Sequence, residues 1–127
     1  MLENKTIGFI GGGQMGQAIF RGLIASGGVK AENIVITDVD EKKLHALGGE
    51  LGVQTVLSDG SNSGAAELAK RVDILVFAVS PQMARNVLQA AAPHLSAEQL
   101  VISIMGGISL GLSLIHISEP TRLRCIS

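Results

Sequence analysis

Near the start of the chain, Gly11-Gly12-Gly13-Gln14-Met15-Gly16 has the spacing G-x-G-x-x-G. In a strand-to-helix turn, that spacing lets backbone approach the pyrophosphate of a dinucleotide. Gly11 would permit the tight turn, Gly13 the close approach, and Gly16 the packing of helix on strand. A helix opening at Gln14 would add free N–H groups and a partial positive charge for the phosphates. A second group lies about 20 residues further on, where such folds place an acid. Asp38 closes the stretch NIVITD. Its carboxylate could accept hydrogen bonds from the adenosine ribose and repel a 2′-phosphate, which favours NAD over NADP. Asp38 and Asp40 also fit plain turn and cap roles in TDVDEKK, and Lys42 and Lys43 could neutralise a 2′-phosphate. Both NADPH and NADH therefore stay open as cofactors.

Other reactive side chains offer less. His45 falls on an expected helix face and His94 near a helix end, without metal-ligand spacing, so solvated roles suit both. The single cysteine, Cys125, allows neither an internal disulfide nor a Cys-rich metal site. No nucleophile elbow, paired-carboxylate site or Walker loop is present. No catalytic residue can be named, and no metal site is expected.

These groups must be positioned by elements, and the sequence alternates strand and helix signals. Thr6 to Ile10 is a short apolar run stopped by Gly11, which predicts a buried strand. Gln14 to Ser26 carries Met15, Ala18, Ile19 and Leu23 at helical spacing and stops at Gly27-Gly28. Asn33 to Thr37 predicts a second strand, and Asp40 could cap a helix running to Leu51 with Leu44, Leu47 and Leu51 on one face. A short strand is expected over Val53 to Val56, a polar loop over Ser58 to Gly64, and a helix over Ala65 to Arg71. Asp73 to Val79 is the most hydrophobic run and the best candidate for a central parallel strand. Pro81 suits the first turn of the next helix, and Leu100 to Ile104 predicts a fifth strand. Such alternation implies right-handed crossovers and an α/β, Rossmann-type, doubly wound and mostly parallel sheet.

The bulk properties agree. The 127 residues leave room for one domain; 46% are hydrophobic and 17% charged, with a net charge of −1. Aromatics are confined to Phe9, Phe20 and Phe77, so stacking platforms for nucleic acid are not expected. The charge balance gives no basic footprint for nucleic acid or an anionic membrane. No transmembrane run or signal-peptide layout is visible, which predicts a cytoplasmic protein.

Three stretches carry a family resemblance: Ile7 to Gly27 (IGFIGGGQMGQAIFRGLIASG), Asp73 to Gln82 (DILVFAVSPQ) and Leu100 to Ser109 (LVISIMGGIS). Together they resemble the N-terminal domain of pyrroline-5-carboxylate reductases, enzymes of proline biosynthesis. The resemblance implies that Ile10, Gly11, Gly12, Gly13, Gln14 and Met15 hold the cofactor pyrophosphate, with Gly16 closing the same glycine turn. It implies that Ala78, Val79, Ser80 and Pro81 pass beneath the ribose and nicotinamide, with Met105 to Gly107 near the reacting ring and Asn62 toward the adenosine. The departures are Gln14 where the family usually has Asn, Ser80 where Lys is usual, and Met105-Gly106 in place of Ala-Ala. Two alternatives stay open. One is the first domain of another two-domain dehydrogenase, of hydroxyacid, prephenate or phosphogluconate type; the other is a non-catalytic nucleotide-binding module.

From Leu112 the chain reads LSLIHISEPTR and ends in LRCIS. This resembles a translated sequencing-library adapter. It implies that residues 1–111 are the NAD(P)-binding domain and 112–127 a non-native read-through tail. In the family, a C-terminal helical domain makes the dimer and most of the substrate pocket, and on this reading it is missing. The expected partners are a nicotinamide dinucleotide and, in a full-length homo-oligomer, a small-molecule substrate.

Overall fold

The computed structural model describes residues 4–104 and 124–126. Strand β1 (Ile7–Ile10) is central, buried along its whole length, and pairs in parallel with β2 (Ile34–Asp38) on one side and β4 (Ile74–Phe77) on the other. Strand β3 (Gln54–Leu57) lies outside β2, and β5 (Leu100–Ser103) outside β4. Arg124–Ile126 forms an edge strand, β6, parallel to β5. The order is β3-β2-β1-β4-β5-β6, with every pairing parallel. The mostly parallel, doubly wound sheet expected from the sequence is the observed one. Strand β6 falls inside the 112–127 stretch that the sequence reading set aside from the fold.

The helices divide between the two faces as right-handed crossovers require. Helices α1 (Gln14–Ala25) and α2 (Glu41–Leu51) cover one face. Helices α3 (Ser63–Arg71) and α4 (Pro81–Ala91) cover the other. Alternating strand residues feed the two cores: Phe9, Ile34 and Ile36 face Phe20, Leu44 and Leu47, while Ile10, Val35 and Leu75 face Leu68, Val87 and Leu88. Phe9 and Phe20 meet edge-on with ring centroids 5.2 Å apart, a favoured aromatic geometry.

Local chemistry sets the element ends. The Asp40 carboxylate accepts the Lys43 N–H at 3.1 Å and caps α2, as expected, and Gly52 closes that helix in the left-handed region. Pro81 occupies the first turn of α4. The buried Thr37 hydroxyl donates to the Val56 carbonyl at 2.7 Å, tying β2 to β3. At the opposite end of the sheet, the buried Gln99 amide donates to the carbonyls of Ala69 (2.7 Å) and Val72 (2.6 Å). Its own oxygen accepts the Ser96 N–H at 2.7 Å.

Two expectations need correcting. Met15 and Ala18 are exposed rather than part of the α1 core stripe; the buried face is Gly16 and Phe20, flanked by Ile19, Leu23 and Ile24. Helix α1 is rotated so that its small residue, Gly16, meets the turn after β1. Helix α3 begins at Ser63 rather than Ala65, because the Gly64 N–H already bonds the Ser58 hydroxyl (3.1 Å) and Gly64 packs against Thr37.

Candidate functional site

The chain leaves β1 for β2 and β3 on one side, then returns to β4 on the other. The order reverses between β1 and β4, and the carboxyl ends of these strands open the crevice where such folds bind ligands. A cleft of about 280 Å³ lies there. Its floor is the glycine turn (Ile10, Gly11, Gly13), one wall is the end of β2 with Asp38, Val39 and Lys43, and the other is Ala78, Val79 and Ser80 after β4. Ser58, Asn62 and Ala65 close the side toward α3, and Met83 and Val87 the side toward α4.

The glycines of the turn have unlike surroundings. Gly11 has φ +103° and its N–H donates to the Thr37 carbonyl at 2.9 Å. A Cβ there would lie 2.4 Å from the Ala78 carbonyl oxygen. A Cβ on Gly16 would lie 3.0 Å from the Gly11 carbonyl oxygen, so this glycine lets α1 seat on the turn. At Gly13 a Cβ would meet no protein atom within 4 Å. The backbone at Gly13 borders open cleft, room that the protein itself does not use. Gly13 is also the N-cap of α1, a helix with no side-chain cap and no acidic residue in its first turn. Its first N–H groups and the helix dipole are left for an anion.

Asp38 is half-buried and built into the same turn. Its Oδ2 accepts the Gly12 N–H at 2.8 Å, its Oδ1 the Asp40 N–H at 3.0 Å, and Lys43 Nζ lies 3.5 Å from Oδ2. Burial pushes this carboxyl up. The N–H bonds from Gly12 and Asp40, the Lys43 charge and a bond from Val39 outweigh burial and hold it below its ordinary value. It is an anion at neutral pH.

Of the residues expected at the site, Ile10, Gly11, Gly13, Asp38, Ala78, Val79 and Ser80 line one cleft. Gly12 and Gly16 are buried beneath it, Gln14 and Met15 sit exposed on the first turn of α1, and Pro81 follows Ser80 as the first residue of α4. Met105 to Gly107 lie outside the described residues. His45 and His94 are exposed and away from the cleft. Asn62, which the resemblance points toward the adenosine, lines the cleft in a left-handed conformation with φ 62°. Sequence reasoning did not find Thr37, Ser58, Ala65, Met83 or Val87, which reach the cleft through strand register and helix packing. Among the described residues, no group of three or more His, Cys, Asp or Glu side chains could hold a metal. No described helix is long and apolar enough to cross a membrane.

Fold and cleft together define a dinucleotide-binding domain of the Rossmann oxidoreductase class. Residues 6–107 match the family described as NADP oxidoreductase, coenzyme F420-dependent, and the chain belongs to it. Among its relatives, it is 38% identical over 122 residues to pyrroline-5-carboxylate reductase of Methanosarcina acetivorans, covering 96% of this chain and 43% of that one. The crystal structure of a Plasmodium falciparum pyrroline carboxylate reductase with NADP bound matches with 34% identity and a TM-score of 0.72, over 92% of this chain and 40% of that one. A Coxiella burnetii pyrroline-5-carboxylate reductase matches with 29% identity and a TM-score of 0.78, over 95% and 43%. The resemblance carried by the three sequence stretches is borne out, and the chain spans 40–43% of these relatives' length.

Proposed function

We propose that this chain is the cofactor-binding part of a pyrroline-5-carboxylate reductase, which reduces 1-pyrroline-5-carboxylate to L-proline. The observation that carries the reading is that the glycine turn, the Asp38 carboxylate and the Ala78–Ser80 turn line one cleft at the switch point of the sheet. Identity to reductases of that name supports the substrate.

The residues fit a nicotinamide dinucleotide. Gly13 and the uncapped first turn of α1, at Gln14 and Met15, would hold the pyrophosphate. Asp38 would hold the adenosine ribose, and Ala78 to Pro81 would run beneath the nicotinamide half. When bound, a reduced nicotinamide supplies the hydride that an imine carbon needs. The chain's own work is to bind, to orient and to exclude water with the apolar walls of Ile10, Ala65, Val79, Met83 and Val87. Asp38 and Lys43 are the charged side chains of the described lining, and they face each other. The described lining therefore brings no acid to the imine nitrogen. That proton, the substrate pocket and the homo-oligomeric contacts would come from the remainder of a full-length, cytoplasmic enzyme.

Calorimetric titration of this polypeptide with NADH and with NADPH tests the reading. Saturable binding of a reduced dinucleotide is expected, without loss of nicotinamide absorbance when 1-pyrroline-5-carboxylate is added. Failure to bind either dinucleotide would overturn the proposal. Turnover of the imine by this chain alone would overturn the assignment of acid and substrate pocket to the remainder.

A further inference from the structure

The glycine turn is gripped on its helix side as well as by Asp38. Gln17 lies one turn into α1, and its backbone N–H donates to the Gly13 carbonyl at 2.9 Å. Its side-chain Nε2 donates to the Gly12 carbonyl at 2.8 Å. Residue 17 therefore turns two successive carbonyls onto α1. Because each peptide is planar and trans, the Gly13 and Gln14 N–H groups, which share those peptides, are held in the opposite sense. These are donors at the open start of the helix.

The amide of Gln17 is itself oriented. Its Oε1 accepts from Arg21 Nε at 3.3 Å and Nη2 at 3.2 Å, which leaves Nε2 facing Gly12. Arg21 in turn makes a two-pronged bond to Glu50 of α2, at 2.5 and 3.0 Å. A continuous path runs from Glu50 through Arg21 and Gln17 to the carbonyl of Gly12, while Asp38 pins the N–H of the same residue in the preceding peptide.

We propose that Gln17 is a positioning residue for the pyrophosphate: its amide, set by Arg21, fixes the peptide whose N–H faces the anion. The inference rests on the reading of the cleft as a dinucleotide site. It predicts a loss confined to phosphate-bearing ligands. Gln17→Met should weaken NADH and ADP-ribose by the same factor, roughly fivefold to tenfold for one neutral hydrogen bond. The affinity of adenosine, read by ligand-observed NMR, should stay unchanged. Arg21→Met should weaken NADH less, because the amide is freed rather than removed. The double variant should match Gln17→Met, since Arg21 acts through Gln17.

If the parent chain binds no dinucleotide, the function reading and this inference fall together. If the parent binds and Gln17→Met binds NADH as tightly, or loses adenosine equally, or the two substitutions add, only the inference falls. Gln17→Lys, which restores a donor toward Gly12, should recover most of the affinity; no recovery would also count against it.

Discussion

The Asp38 carboxylate accepts the Gly12 N–H at 2.8 Å, so the acid ending the second strand and the turn following the first are one unit. On the proposed reading, the side chain that would meet the ribose thus also shapes the loop that would hold the pyrophosphate. The separation of 26 residues between them is closed by the register of β1 on β2, in which Ile10 sits beside Thr37.

Asp38 should decide the choice of dinucleotide. Its ionised oxygens suit ribose hydroxyls and oppose a 2′-phosphate, while Lys43 at 3.5 Å offsets part of that repulsion. NADH is expected to bind more tightly than NADPH. Asp38→Ser should weaken NADH by roughly tenfold, the loss of a charged hydrogen bond, and should bring NADPH level with it or ahead. Titration of parent and variant with both cofactors reads this, and an unchanged ratio of affinities would exclude Asp38 from the choice.

Gly11 and Gly13 should separate folding from binding. Gly11→Ala meets the Ala78 carbonyl at 2.4 Å in a backbone region that alanine disfavours. It should cost about 2 to 4 kcal/mol of stability through strain and overpacking. Gly13→Ala has no protein neighbour within 4 Å and an extended backbone. Its stability should stay within about 1 kcal/mol of the parent, while the methyl group takes the space left for the pyrophosphate. Urea unfolding combined with cofactor titration distinguishes the two: the first should be lost mainly in midpoint, the second mainly in affinity.

Acid should expose the same carboxylate. Asp38 lies below its ordinary value of 3.8 in the folded chain. A carboxyl lowered on folding contributes stability that is fully present above the unfolded value and drains away as pH falls through the folded one. Asp38→Asn keeps an acceptor for Gly12 but removes the charge. The stability difference between parent and variant should be flat above about pH 5 and shrink on further acidification. Urea midpoints taken across that range check the direction; a difference that widens toward acid would refute it.

The elements and the turn were legible because short-range signals agreed with the fold. Ile7 to Ile10 followed by glycines, the Asp40 cap and Pro81 at a helix start each act within a few residues. What sequence did not disclose was set by contacts far along the chain. SDGSNSG has the composition of a loop, yet Ser58 and Thr37 let Gly64 tuck in and start helix α3 at Ser63, two residues before the apolar pattern begins. Met15 has the spacing of a core residue, but seating Gly16 on the turn rotates it into solvent. Ala65, Met83 and Val87 are ordinary helix residues whose place in the cleft follows from which sheet face their helices cover. The brace through Gln17 was invisible for the same reason, since Arg21 and Glu50 meet only when α1 and α2 pack side by side.

Gln99 has a consequence for how the molecule comes apart. Helix α3 is the segment that carries the chain from β3, at one edge of the sheet, back across to β4. The amide of Gln99, just ahead of β5, holds the last carbonyls of that helix, and losing it would leave two buried acceptors bare at about 1 to 3 kcal/mol each. The half of the sheet built from β1, β2 and β3 is thereby latched to the half built from β4 and β5. Since α3 also packs on β1 and β2, this bond adds to the β1–β4 pairing that joins the two halves, and the two should melt in a single step.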